Sequence, residues 1–185
     1  MSFWTSLHAP AEHELLVGFY DLTAYTRYSA KVAPLDLMRV MAGYFFLTGG
    51  IIAAAGGKLI KTIGDAGLAA FPVELADAGV MAFREVKRQG DAWLAEHDYR
   101  GRAKIKLHVG PVAVGPVGAP RDERLDIYGS TVNFAAVLES HGFAMSPAVF
   151  RKLSSETRKF FQKHTPPISY IEHDAEFMHD IRNWP

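Results

Sequence analysis

Two aspartates stand where carboxylates could do chemistry together. Asp21 closes the apolar run Leu15-Leu16-Val17-Gly18-Phe19-Tyr20, which reads as a buried strand. Asp65 follows Gly64 in a tight-turn pair between two strand-like runs, Lys58 to Ile63 and Gly67 to Phe71. Carboxylates on adjacent strand ends, with the backbone of Leu22 beside them, suit Mg²⁺ or Mn²⁺, hard cations that take oxygen ligands. Such a pair can hold two ions, one activating an attacking oxygen and one neutralising a leaving phosphate. The exposed amides of Thr23, Ala24, Tyr25 and Thr26 open the next helix and could bind the phosphates themselves. Spacing alone leaves structural roles open: Asp21 as a helix N-cap, Asp65 as a hairpin residue.

The elements that must position these residues follow from periodicity and breakers. Residues 1–12 mix Pro, His and Ser without a period and read as an N-terminal arm, ahead of a single domain over 13–185. Pro34 marks the first turn of a helix carrying Leu37, Met38, Met41, Phe45 and Ile52 and ending at Gly56-Gly57. Ala76 to Leu94 is a second helix, and Ile105 to Val114 a strand followed by Gly115 and Pro116. Leu125 to Tyr128, a short helix from Thr131 to Glu139, a helix opened by Ser146-Pro147 and a last strand Ser169 to Glu172 complete the chain. This order predicts an α+β fold with a ferredoxin-like split βαβ core and C-terminal additions. In that topology the first strand lies antiparallel beside the third. Asp21 and Asp65, 44 residues apart in sequence, then meet at one sheet end.

Composition narrows the partners. Among 185 residues, 20 Lys+Arg balance 20 Asp+Glu, so no basic excess points to nucleic acid or an anionic membrane surface. The absence of cysteine excludes thiol nucleophiles, disulfide scaffolds and Cys-ligated metals. The stretch from Val40 to Gly57 holds no charged residue, yet its five glycines and many alanines read as a core or interface helix rather than a membrane span. No basic n-region precedes an apolar stretch at the N-terminus, and the expected setting is cytoplasmic.

Four ordered blocks carry a family resemblance. Phe19-Tyr20-Asp21-Leu22-Thr23-Ala24-Tyr25-Thr26-Arg27-Tyr28-Ser29 resembles the first metal-binding segment of class III nucleotide cyclases, the adenylate and guanylate cyclase catalytic domains. Gly56-Gly57-Lys58-Leu59-Ile60-Lys61-Thr62-Ile63-Gly64-Asp65-Ala66 is similar to their second metal hairpin. His108 to Gly115 and Asp126 to Ala136 resemble two further blocks, and Ser146 to Phe150 has a counterpart, so the likeness covers about residues 13 to 153. The resemblance implies conversion of a nucleoside triphosphate into its 3′,5′-cyclic monophosphate and pyrophosphate, with Mg²⁺ or Mn²⁺ at Asp21 and Asp65. It places Lys61 and Asp126 at the base-reading positions and Asn133 at the ribose-orienting position. A lysine donor and an aspartate acceptor match the adenine edge, which implies ATP. It also implies a dimer, metals held by one subunit and base and ribose by the other, as a homodimer or with a different partner chain.

The pattern breaks at Val137, where the resemblance calls for an arginine that stabilises charge on the reacting phosphate. Arg121, in the loop before Asp126, occupies a place where some such domains carry a phosphate-facing arginine; Arg124 is close by. The C-terminal segment has Tyr170-Ile171-Glu172-His173-Asp174 where a Lys-Gly hairpin is expected. The expectation is therefore an adenylate cyclase weakened by Val137, the alternative a nucleotide-binding regulatory module without turnover. An RNA-binding role would need a basic face, and the eight histidines show no close helical pairing for a metal.

Overall fold

A computed structural model describes residues 3–7, 10–165 and 167–173. A 3₁₀ turn at Phe3–Thr5 leads to β1 (Ala11–Leu22), the short helix α1 (Tyr25–Ser29) and the long helix α2 (Pro34–Ala54). The hairpin β2 (Lys58–Ile63) and β3 (Ala66–Pro72) follows, then α3 (Ala76–Glu96), β4 (Ala103–Val117), β5 (Arg124–Tyr128) and α4 (Ser130–Val137). The chain continues through β6 (Phe143–Met145), α5 (Pro147–Lys152), α6 (Ser155–Arg158), β7 (Phe161–His164) and β8 (Ser169–Glu172). The strands form one sheet in the order β2-β3-β1-β4-β6-β8-β7, with β5 paired to β4. Its first four strands are the split βαβ arrangement read from the sequence. β1 runs antiparallel to both β3 and β4, with Tyr20 opposite Gly67 and Asp21 opposite Lys104.

Period-two alternation assigns the two faces. Leu16, Tyr20 and Leu22 of β1 join Phe71, Ile105 and Leu107 beneath α2 and α3, which contribute Tyr44, Ile52, Val80, Phe83 and Val86. Leu15 and Val17 face the other way, into a smaller cluster with Leu68, Ala70, Val112, Val114 and Ile127, closed by Ala135 of α4. β5 also comes against β2 from the far side of the sheet. The sheet is therefore rolled around this second cluster.

Two expectations need correction. β1 begins at Ala11, inside the segment read as an arm, and Phe3, Trp4 and Leu7 pack on the second cluster while Trp4 Nε1 donates to Gly56 O at 3.1 Å. β4 does not stop at Val114. It continues through Gly115 and Pro116, paired there with β5. α2 buries Met41, Tyr44, Thr48 and Ile52 on one stripe, but Leu35, Met38 and Phe46 are exposed, Phe46 at 86%. Among the described residues it is the one helix long and apolar enough to cross a membrane, and that stripe is packed into the protein.

Candidate active site

β1 and β3 deliver the two aspartates to one end of the sheet. The β2–β3 turn depends on Gly64, whose φ of +60° is the left-handed conformation that glycine adopts without strain. The turn brings Asp65 back over β1, where its Oδ2 accepts the Leu22 backbone N–H at 3.1 Å. Asp21, one residue earlier, lies on the face of Leu15 and Val17. There its Oδ2 is 3.3 Å from Nζ of Lys106 on β4. Asp65 thus reaches the backbone of Leu22, next to Asp21, at the sheet end that the strand order predicted. Among the described residues no cluster of three or more His, Cys, Asp or Glu could hold a metal. The donor set is two hard carboxylates and backbone, which fits Mg²⁺ or Mn²⁺, ions that complete their shells with water and substrate phosphate.

The phosphate loop is more constrained than its sequence suggests. Thr23 is held on every polar group: its N–H donates to Arg102 O at 2.9 Å and its Oγ1 accepts from Arg102 N at 2.8 Å. Its carbonyl accepts from the Tyr99 hydroxyl at 2.7 Å. Burial pushes the Tyr99 phenol up, so it remains a proton donor at neutral pH. Gly101 permits this close packing, since a Cβ there would lie 1.9 Å from Thr23 O. The Thr23 amide is thus committed to the fold, which corrects the expectation that it faces phosphate. Ala24, at φ +63°, turns the chain so that the N–H groups of Tyr25 and Thr26 open α1. Beside them a cleft of about 440 Å³ is lined by Arg27, Lys31 and Arg100 with Asp98, giving this corner a cationic rim.

The base-reading candidates also meet. Lys61 Nζ donates to Asp126 Oδ2 at 2.7 Å, while Asp126 Oδ1 accepts from the Ile127 N–H at 2.8 Å. Sequence reading missed the device that makes this contact. The β2–β3 register slips between Leu59 and Lys61, so Lys61 pairs with Leu68 instead of Gly67. A bulge of one residue turns a side chain to the opposite face. Without it Lys61 would point toward the helices; with it the lysine reaches β5 across the rolled sheet. The ion pair is half withdrawn from water, with 38% and 14% of the two side chains exposed.

α4 carries the remaining candidates. Thr131 anchors it by donating to Pro111 O at 2.8 Å. Asn133 is exposed, and Phe134 packs its ring 4.1 Å from that of His108, whose Nδ1 lies 2.7 Å from Ser146 Oγ. Burial holds the His108 pKa below its ordinary value. Val137 ends the helix with 78% of its surface exposed. Arg121 lies exposed in the β4–β5 loop, and among the described residues it makes no hydrogen bond or ion pair to these groups. Lys106 escaped the sequence reading entirely. Its even position on β4, shared with His108, Val112 and Val114, was the available signal that it faces the site.

Residues 7–168 match the family described as adenylate and guanylate cyclase catalytic domain. The chain belongs to that family. An adenylate cyclase of Streptomyces coelicolor is 32% identical over 129 residues, 70% of this chain and 30% of that protein. The receptor-type guanylate cyclase Gyc76C of Drosophila melanogaster is 27% identical over 154 residues, 77% of this chain and 10% of the relative. The cyclase-like chain thus spans under a third of the length of these two relatives. Its fold matches a bacterial light-regulated adenylyl cyclase with a TM-score of 0.77 at 23% identity, covering 89% of this chain and 53% of that one. It also matches the catalytic core of a rhodopsin-guanylyl cyclase of converted specificity solved with ATPαS, at a TM-score of 0.71 and 21% identity over 87% and 96% of the chains. This is a nucleotide cyclase catalytic domain by family and by fold.

Proposed function

We propose that this cyclase domain converts ATP to 3′,5′-cyclic AMP and pyrophosphate at sites shared between two copies of the chain. The observation that carries the choice of ATP is the Lys61–Asp126 pair at 2.7 Å. Adenine presents a ring-nitrogen acceptor beside an amino donor. Lys61 donates to the first and Asp126 Oδ2 accepts from the second, whereas guanine presents the reverse order. Until a base arrives, the two side chains satisfy and position each other, so little ordering remains to be done on binding.

Asp21 and Asp65 would hold the divalent ions. Mg²⁺ or Mn²⁺ bound there would supply Lewis acidity for the 3′-hydroxyl and neutralise the triphosphate. The 3′-oxygen forms a bond to the α-phosphorus, the bond from that phosphorus to the α,β-bridging oxygen breaks, and pyrophosphate leaves with that oxygen while the hydroxyl proton passes to solvent. The N–H groups of Tyr25 and Thr26 and the cationic rim of Arg27 and Lys31 favour the polyphosphate. Asn133 orients the ribose from the partner copy. Val137 supplies no charge at the place where the family resemblance calls for arginine, so turnover is slow.

Incubating the protein with Mn²⁺ and either ATP or GTP tests this reading. Cyclic AMP should form at least about tenfold faster than cyclic GMP, the range open to a site built on paired hydrogen bonds. Dominant cyclic GMP would overturn the base assignment. ATP binding with no cyclic product would replace the enzyme by a nucleotide-binding regulatory module.

A further inference from the structure

Lys106 sits where the divalent ions are proposed to bind, and it is neither a family-assigned ligand nor an ordinary surface charge. Its Nζ lies 3.3 Å from Asp21 Oδ2, and it also donates to Ala136 O at 3.2 Å, one of the last carbonyls of α4. Only 18% of the lysine side chain is exposed, and 34% of that of Asp21. An ion pair withdrawn from water is screened little by salt. Asp65, by contrast, is engaged by the neutral Leu22 N–H and keeps its full charge for a metal.

We infer that Lys106 is a resident cation that competes with divalent metal for Asp21 and keeps the nucleotide-free site only weakly metal-binding. Asp21 and Asp65 together carry two negative charges, and Lys106 cancels one. A divalent ion approaching Asp21 must displace an ammonium already held between that carboxylate and the end of α4. The triphosphate brings the missing negative charge, so metal loading becomes coupled to nucleotide arrival. A purely structural lysine would cap α4 without influencing metal affinity.

This inference rests on the reading that Asp21 and Asp65 take divalent ions, and the test separates the two. Mn²⁺ binding to the nucleotide-free protein is followed by the electron paramagnetic resonance of free Mn²⁺. Lys106→Met should bind Mn²⁺ at least about tenfold more tightly than wild type, a modest figure beside the Coulomb energy of charges this close. Lys106→Arg keeps the charge and should stay weak, which also guards against a folding defect in the methionine variant. The gain should vanish in Asp21→Asn/Lys106→Met. Equal affinity in wild type and Lys106→Met, with binding still lost in Asp65→Asn, overturns the role of Lys106 alone. Absence of Asp65-dependent Mn²⁺ binding in every variant overturns the metal reading and this inference with it.

Discussion

The two faces of the sheet solve different problems with adjacent residues of the same strands. Tyr20 and Asp21 are neighbours in β1, yet Tyr20 is fully buried among Tyr44, Phe45 and Phe83, while Asp21 stands on the opposite face beside Lys106. On the helix-covered face the Tyr20 hydroxyl pairs with Thr48 Oγ1 at 3.1 Å, and burial pushes the phenol up to about 12. The other face places Lys61, Asp126, Asp21 and Lys106 around a small apolar cluster. Partly buried ion pairs contribute little net stability, because desolvation offsets attraction. One face specifies the fold; the other accepts charge for chemistry.

That division is tested most sharply by removing one of the two carboxylates at the end of the sheet. On the proposed function, Asp65→Asn should lower cyclase turnover by a factor on the order of 10³ or more, as loss of a proposed metal-holding group removes several kcal/mol of transition-state stabilisation. Its carboxamide oxygen can still accept from Leu22 N–H, so the melting temperature should stay within a few degrees. Phe83→Ala is the converse. Phe83 is fully buried and contacts Tyr20 and Phe71 edge-on, so truncation should cost about 3–5 kcal/mol in denaturant unfolding. Turnover by the fraction still folded should change little. If Asp65→Asn unfolds the protein, or Phe83→Ala abolishes turnover of the folded fraction, the separation of the faces fails.

Smaller effects sharpen the picture within the chemical face. Lys61→Ala should reduce kcat/KM for ATP by roughly 10- to 100-fold, since a half-buried acceptor on Asp126 loses its charged donor. The loss should fall mainly on discrimination between ATP and GTP, read by competing the two nucleotides. Val137→Arg adds the missing cation at an exposed helix end, and cyclic AMP formation should rise about tenfold or more. No change would mean that another group already meets that charge.

Much of this organisation was legible because it is written in strong local patterns. The apolar run before Asp21, the Gly64-Asp65 turn and the long period of α3 are enough to place β1, the β2–β3 hairpin and the neighbouring aspartates. What escaped depends on register and distance. β6 and β7 have three and four residues, too few for a period to emerge, and they form through pairing with β4 and β8. The bulge beside Ile60 carries no breaker residue, so the face taken by Lys61 is set by its pairing with β3. The Thr23 amide looked exposed because its partner, Arg102, lies 79 residues away. Lys106 went unread because its partner Asp21 lies on a different strand, diagonally across the β1–β4 ladder.

His108 tests whether the chemical face is also mechanically coupled to α5. It bridges two helices, its ring tilted against Phe134 of α4 and its Nδ1 meeting the Ser146 hydroxyl that caps α5 through Val149 N–H. Burial lowers its pKa from 6.5, so the folded protein binds a proton there less readily than the unfolded chain. The neutral ring therefore stabilises the fold fully above the unfolded value, and that stability is lost as pH falls below it toward the folded pKa. Thermal midpoints measured at about pH 7.5 and about pH 5.5 should drop more in wild type than in His108→Asn, which retains a polar group near Ser146 but cannot titrate. Equal drops would show that the imidazole sits in the α4–α5 seam without bearing on its stability. A larger drop in wild type would show that protonating the half-buried imidazole loosens the seam between α4 and α5.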